Sequence, residues 1–274
     1  VAMSEHRWIP ALVVALVAAC GAPATAIAPS RAPSANGAGL VVRPITQIAA
    51  LLAEPLDLRG LAASGFALVR SDGGEQRIRQ VLSGGDGRER LRVETTLDGA
   101  LRLVARSGVA LGDAELSSSS AIARALRHLL LLGLEIPAGA PAVDVVAGRS
   151  VVSWTRRVRG IEVPNDGVRV VVNGVGALVG IAVEESPLAA PPTRIARLEA
   201  VRRAAAALLP SGAEFAGEPR LAWLPPPGGG GDTAGARPPR MLIWSVEGVT
   251  AAGSAFLLLL DAGSLALLGG DAAP

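Results

Sequence analysis

Residues Arg149–Val183 read RSVVSWTRRVRGIEVPNDGVRVVVNGVGALVGIAV. Val-rich runs at Val151–Val158, Val168–Val172 and Leu178–Val183 alternate with short clusters that hold Gly160, then Pro164-Asn165-Asp166-Gly167, then Gly174-Val175-Gly176. β-Branched residues suit a pleated surface, while Gly and Asn tolerate the positive φ of tight connections, so this spacing predicts three consecutive antiparallel strands. Such a meander exposes an apolar face that it cannot bury alone. A helix or further strands must cover it.

Working outward, two stretches have the period of a covering helix. Ser117–Ser120 leads into Ala121–Leu134, where Ile122, Leu126, Leu129 and Leu130 fall on one stripe and Gly133 and Pro137 end the pattern. Ser is a favoured N-cap because its hydroxyl accepts from a free amide of the first turn. After the meander, Pro187–Pro192 breaks the chain. Thr193 is placed to cap a second helix, Arg194–Leu209, with Ile195, Leu198, Ala205 and Leu209 facing inward. On either side lie more strands. Phe66–Arg70, Arg77–Leu82, Leu91–Thr96 and Leu101–Ala105 are separated by Gly-rich and Asp-Gly turns; Arg220–Leu224, Met241–Val249, Ala255–Leu260 and Leu265–Leu268 follow the second helix. The run AFLLLL at Ala255–Leu260 lacks alternation and predicts a central strand covered on both faces. Thr46–Ala53 predicts a short helix stopped by Pro55. The expected fold class is α+β, with antiparallel sheets each packed by a helix.

Composition restricts the functional classes. All 26 basic residues are Arg, Tyr is absent, and the net charge is +2; this Ala-, Gly-, Pro- and Arg-rich usage reflects the codon bias of a GC-rich genome. No concentrated basic face with interleaved aromatics occurs, so no nucleic-acid partner is expected. A single cysteine, Cys20, excludes an intrachain disulfide framework and a multi-cysteine metal site.

The first twenty residues read as an export signal. His6 and Arg7 precede the apolar run Ile9–Ala19, shorter than the about 20 residues of a membrane-spanning helix. The run ends in Val17-Ala18-Ala19-Cys20, which resembles a bacterial lipobox; the alternative is ordinary cleavage at Ala22-Pro23-Ala24 or Ala24-Thr25-Ala26, which discards Cys20. The favoured expectation is a signal peptide over 1–19, lipidation of Cys20 and a Pro/Ala/Ser-rich tether over 20–39. The lipid would anchor the chain to the cell envelope, at the outer membrane or the outer face of the plasma membrane. Three segments then follow: a β-rich region over 40–115, a helix plus meander over 116–186, and a helix plus strands over 187–274.

Catalytic apparatus is not legible. Beyond the signal the only histidine is His128, read as a surface or boundary residue of its helix rather than a ligand or base. There is no Gly-x-Ser-x-Gly elbow and no His-Glu-x-x-His, and the absence of Lys excludes a P-loop. Gly174, Gly176 and Gly180 lie between strands instead of opening a helix, so they are turn residues, not a dinucleotide loop. Glu184 and Glu185 are strand neighbours that point to opposite faces and cannot form a carboxylate dyad. Asp261 reads as a turn residue. No catalytic, cofactor-binding or metal-binding residues are expected. Arg156, Arg157, Arg159 and Glu162 form the candidate partner-contact surface; the three arginines also read as a charged strand edge that deters sheet-to-sheet pairing.

The stretch WTRRVRGIEVPNDGVRVVVNGVGALVGI resembles the propeptide region of thermolysin- and fungalysin-type metalloproteases, the FTP and PepSY modules. Gly160, Ile161, Val163, Val168, Val170, Val172, Asn173 and Gly176 carry the likeness. Leu221-Ala222-Trp223, Leu242-Ile243-Trp244 and Leu260-Asp261-Ala262-Gly263 resemble the closing strands of that family, and Arg194–Leu209 its helix. Val158 and Glu162 depart from the family pattern, which has an aromatic and a proline there. In that family these modules precede a protease, assist its folding and occupy its cleft. The resemblance implies a non-enzymatic exported lipoprotein whose partner is a secreted metalloprotease, with no cofactor. Two other readings stand beside it: an envelope lipoprotein that holds a small molecule or cell-wall component in a sheet–helix groove, and an enzyme with acidic residues gathered around Arg156.

Overall fold

The computed structural model describes residues 44–52, 59–71, 75–109, 115–209, 212–227 and 238–270. The predicted signal peptide, Cys20 and the tether lie outside these residues. Within them the chain is α+β, with helices and antiparallel strand ladders. It divides into two compact units: residues up to Trp154 together with Gly167–Glu184, and Thr155–Asp166 together with the residues from Glu185 onward.

The first unit is built around one face of a sheet. Helix α1 (Ile45–Leu51) is followed by β1 (Ala62–Ala63), β2 (Ala67–Arg70), β3 (Gln76–Ser83), β4 (Glu89–Thr96) and β5 (Leu101–Arg106). Helix α2 (Ser118–Leu131) then leads to β6 (Ala142–Val146), β7 (Arg149–Val158), β8 (Ile161–Val172) and β9 (Leu178–Glu184). The strand order is β1-β3-β4-β5-β9-β8-β7-β6, with β2 also on β3. The segments over 40–115 and 116–186 therefore share one sheet, joined where Leu103, Val104 and Ala105 pair with Ala182, Ile181 and Gly180. Turn residues mark where strands end. They do not say which distant strand completes the ladder.

Ile45, Ile48 and Ala49 of α1 and Ala121, Ala125 and Leu129 of α2 are buried in one apolar cluster with Leu82, Leu91, Val93, Val104, Val152, Trp154, Val170, Leu178 and Ile181. Each large aliphatic side chain so buried contributes roughly 1.5–3 kcal/mol before the entropy of ordering it is subtracted. Ser117 caps α2, its hydroxyl accepting from the Ser120 amide at 3.3 Å. Gly133, at φ 68°, ends the helix, with its amide on the Leu130 carbonyl and the Leu134 amide on the Leu129 carbonyl.

The inward stripe of α2 differs from the expected one. Ala121, Ala125, His128, Leu129 and Leu132 face the core, while Leu130 is 61% exposed. The Leu-rich tail drew the sequence-based stripe toward the largest side chains. The helix instead turns its two alanines inward, where small side chains allow close approach. His128, expected at the surface or boundary, is buried.

The second unit contains α3 (Leu198–Leu208), β10 (Glu214–Phe215), β11 (Arg220–Leu224), β12 (Met241–Val249), β13 (Ala255–Asp261) and β14 (Leu267–Gly270). The order is β10-β12-β13-β14, with β11 also on β12. Val201 and Ala205 of α3 share a buried cluster with Val246, Phe256, Leu258 and Leu260. The helix starts four residues later than predicted, and Thr193 does not cap it: Arg197 occupies the N-cap without a side-chain bond. The Ala196 amide donates to the Ala262 carbonyl at 2.8 Å, which holds the preceding residues against the end of β13 rather than in a helical turn. Ile195 is accordingly exposed. Strand β13 lies between β12 and β14, yet it alternates. Phe256, Leu258 and Leu260 are buried, whereas Leu257 and Leu259 are half-buried, so the apolar run is not covered equally on both faces.

Candidate functional site

The decisive stretch forms three consecutive strands, β7, β8 and β9, as expected, but the second begins at Ile161 rather than Val168. β7 and β8 are joined by a two-residue turn, Arg159-Gly160, with φ of 54° and 79°. Both residues are left-handed, as in the hairpin turn whose twist matches that of the flanking strands. Pro164-Asn165-Asp166-Gly167, read as a second turn, lies inside β8. Asn165 at φ 65° and Gly167 at φ 128° make it a local irregularity in a continuing strand. It falls where the chain passes from one compact unit to the other: Thr155–Asp166 belong to the second and Gly167–Glu184 to the first.

Alternation along the hairpin tip sorts the candidate contact residues. Val158, Ile161 and Val163 pack with Trp223, Leu242 and Ala262, all within the second unit. Arg156 shares the inward side with Val158, two residues on. Arg157, Arg159, Gly160 and Glu162 are exposed. Arg157 Nη2 donates to Glu162 Oε1 at 2.5 Å across the hairpin. The three arginines are thus not one patch: Arg157 and Arg159 accompany Glu162 outward, and Arg156 turns in. β6 pairs with β7 only up to Ser153, so Thr155–Val158 extend past the end of that partner.

Arg156 meets a carboxylate that sequence reasoning assigned to a turn. Asp166 has a side chain only 1% exposed. Its Oδ2 accepts from the Ser186 amide at 2.6 Å and from Arg156 Nη1 at 3.3 Å. Its Oδ1 accepts from the Ser186 hydroxyl at 2.7 Å and is paired with Arg240 Nη2 at 3.1 Å. Arg156 Nη1 also donates to the Ser186 carbonyl at 3.0 Å. Arg240 is fixed by its own backbone: its amide donates to Pro187 and its carbonyl accepts from Ala189. One buried carboxylate so ties β8 to the segment that leaves β9 and to the residue that precedes β12. A buried charge is tolerated only when paired and fully hydrogen-bonded, and this one is. The arrangement satisfies Asp166 completely with protein donors and offers no open position for a reacting group.

The other singled-out residues are also structural. His128 Nε2 lies 3.1 Å from the Gly176 carbonyl, linking α2 to the β8–β9 turn. Gly176 has φ 83°, and a Cβ there would stand 2.9 Å from the Arg124 side chain. Asn173 closes the same turn, its side-chain oxygen accepting from the amides of Val175 and Ala177. Glu184 Oε2 accepts from Arg77, whose guanidinium also reaches Glu75 and Glu94. Asp261 is a turn residue: its Oδ1 accepts from the Ser264 amide, the Ser264 hydroxyl and the Gly263 amide. The Ser264 amide is the main reason its carboxyl is held below the usual carboxylate range, against an opposing push from burial. Among the described residues no group of three His, Cys, Asp or Glu side chains is placed to hold a metal ion. None of their helices is long and apolar enough to cross a membrane.

No protein-family model and no curated protein matches the chain. Among solved structures, the chain is similar to the C-terminal domain of Bacillus megaterium YpeB, with a TM-score of 0.46 and 15% identity over 84% of this chain and 97% of that one. A likeness at this level assigns neither family nor function.

Proposed function

We propose that the chain is a non-catalytic, exported binding module of the PepSY/propeptide type, anchored to the cell envelope through lipidated Cys20. In this reading it inhibits a secreted metalloprotease or assists its folding. The observation that carries the proposal is the β7–β8 tip. Its inward side is fixed by Val158, Ile161 and Val163, and by Arg156 in the Asp166 network. Its outward side presents Arg157, Arg159, Gly160 and Glu162 next to a strand edge that β6 does not cover. A hairpin with a polar outer face, beside a strand segment that β6 does not pair, is suited to pairing with an extended segment or a protease cleft edge. Gly160, Ile161 and Val163 of this tip are among the residues that carry the sequence resemblance to protease propeptides. Support for a non-catalytic role comes from the Asp166 cluster, whose acceptors are all occupied by structural donors.

The test is inhibition and refolding of metalloproteases secreted by the same organism, with the full chain added as purified protein. Slowed hydrolysis or faster recovery of activity after denaturation, weakened at least tenfold by the double substitution Arg157→Ala/Arg159→Ala, is the expected result. Unchanged proteolysis and unchanged refolding for every such protease would refute the partner assignment. Radiolabelled fatty acid retained after Cys20→Ala would refute the anchor.

A further inference from the structure

We propose that the outer side of α2 and the adjoining β8–β9 turn form a contact surface for an anionic lipid bilayer, separate from any anchor at Cys20 and from the β7–β8 tip. Helix α2 contains Arg124, Arg127 and His128 but no carboxylate in its fourteen residues. His128 is buried, whereas both arginines are exposed and neither has a hydrogen bond or ion pair with another described residue. This contrasts with Arg77, Arg79, Arg90, Arg92, Arg102, Arg156, Arg157, Arg202 and Arg240, each of which meets a carboxylate.

On the same helix, the segment after it and the β8–β9 turn, four apolar side chains are left in solvent: Leu130 at 61%, Leu131 at 37%, Ile136 at 52% and Val175 at 60% exposed. Their neighbourhood is fixed. The Gly133 and Leu134 amides close the end of the helix onto the Leu130 and Leu129 carbonyls. Val175 is held beside the helix because its neighbour Gly176 takes the His128 bond and lies under the Arg124 stem. Glu135 is the one exposed carboxylate in the run from Ser118 to Ile136.

Aliphatic side chains at the end of a helix, with guanidiniums one and two turns back, match the chemistry of an interface whose outer layer is phosphate and whose inner layer is hydrocarbon. Charge complementarity selects a bilayer with anionic headgroups. A patch of this size favours a lipid surface over a stable protein interface. Six side chains (Arg124, Arg127, Leu130, Leu131, Ile136 and Val175) fall far below the roughly 20–30 residues that such an interface takes on each side, while a lipid surface needs no matched shape.

The experiment uses the full chain carrying Cys20→Ser and Leu130→Cys, labelled with an environment-sensitive fluorophore and mixed with vesicles of phosphatidylcholine alone or with added phosphatidylglycerol. A blue shift on the phosphatidylglycerol vesicles is expected. It should be at least several-fold weaker on phosphatidylcholine alone and absent in the additional variant Arg124→Gln/Arg127→Gln. The same label at Val175→Cys should report the same shift, which guards against a local effect at Leu130. No shift at either position, or equal shifts on the two vesicle types, would overturn the proposal. An equal shift with the label at exposed Ala206→Cys on α3 would also overturn it, since that would show adsorption without a preferred face.

Discussion

The two halves of β8 are held by different means. From Gly167 to Val172 the strand is a regular ladder with β9, running from Gly167 opposite Glu184 to Val172 opposite Leu178, and its Val170 and Val172 are buried in the core of the first unit. From Ile161 to Asp166 no β9 residue stands opposite, because β9 ends at Glu184. There the Asp166 carboxylate takes the Ser186 amide that a backbone carbonyl would have taken in a longer ladder. One half rests on repeated backbone bonds and apolar burial, so losing any single contact is graded. The other has its pairing with β7 and the packing of Ile161 and Val163, but its tie to the chain beyond β9 is one carboxylate that accepts from four donors, so losing that tie is abrupt.

Asp166→Ala should have the largest effect. It leaves the guanidiniums of Arg156 and Arg240 without their buried carboxylate, and should cost about 3–5 kcal/mol in a denaturant titration. His128→Ala tests the first half. It removes a buried ring and its bond to Gly176, and should cost roughly 2–4 kcal/mol while leaving the Asp166 network intact. A loss above that of Asp166→Ala would reverse the ranking of the two halves. Gly176→Ala combines a left-handed φ with contact against the Arg124 stem and should cost about 1–2 kcal/mol, read as a lower thermal midpoint.

Smaller effects are expected where the groups are wet. Arg157→Ala should shift stability by no more than about 0.5 kcal/mol, because its pair with Glu162 is exposed. Asp261 gives a pH signature. Its folded carboxyl titrates below the unfolded value, so its contribution is present above the unfolded pKa and is lost as pH falls through the lower, folded one. Asp261→Asn should therefore flatten the acid limb of the stability curve and leave its neutral-pH shape unchanged. An unchanged acid limb would contradict the assigned hydrogen bonds.

The existence of most strands was legible because Val-rich runs and Gly-, Asn- or Asp-containing breaks mark them locally. β6 was not, since Ala142–Val146 is short and follows a Pro/Gly/Ala stretch that reads as loop. Pairing of β5 with β9 depends on residues far apart in sequence, and no local pattern encodes it. The inward face of α2 was misread for one physical reason. Ala121 and Ala125 pack inward through small size, and the larger Leu130 pulled the expected stripe outward.

In the candidate site, Arg157, Arg159 and Glu162 were identifiable from charge beside a turn. Asp166, Ser186 and Arg240 were not. Asp166 sits in Pro-Asn-Asp-Gly, a strong turn signature, and its partners lie 20 and 74 positions further along the chain. The one available signal was Arg156 itself: a charged residue on the same strand side as Val158 and Ile161 needs a buried counter-charge.

Hydrogen exchange on Asp166→Asn, compared with the unsubstituted chain, tests most directly whether this carboxylate holds the tip. Amides of Thr155–Val163 should lose protection by at least tenfold, while those of Val168–Val172 and Leu178–Val183 keep theirs. Unchanged protection at the tip, or an equal loss across both halves of β8, would contradict the account.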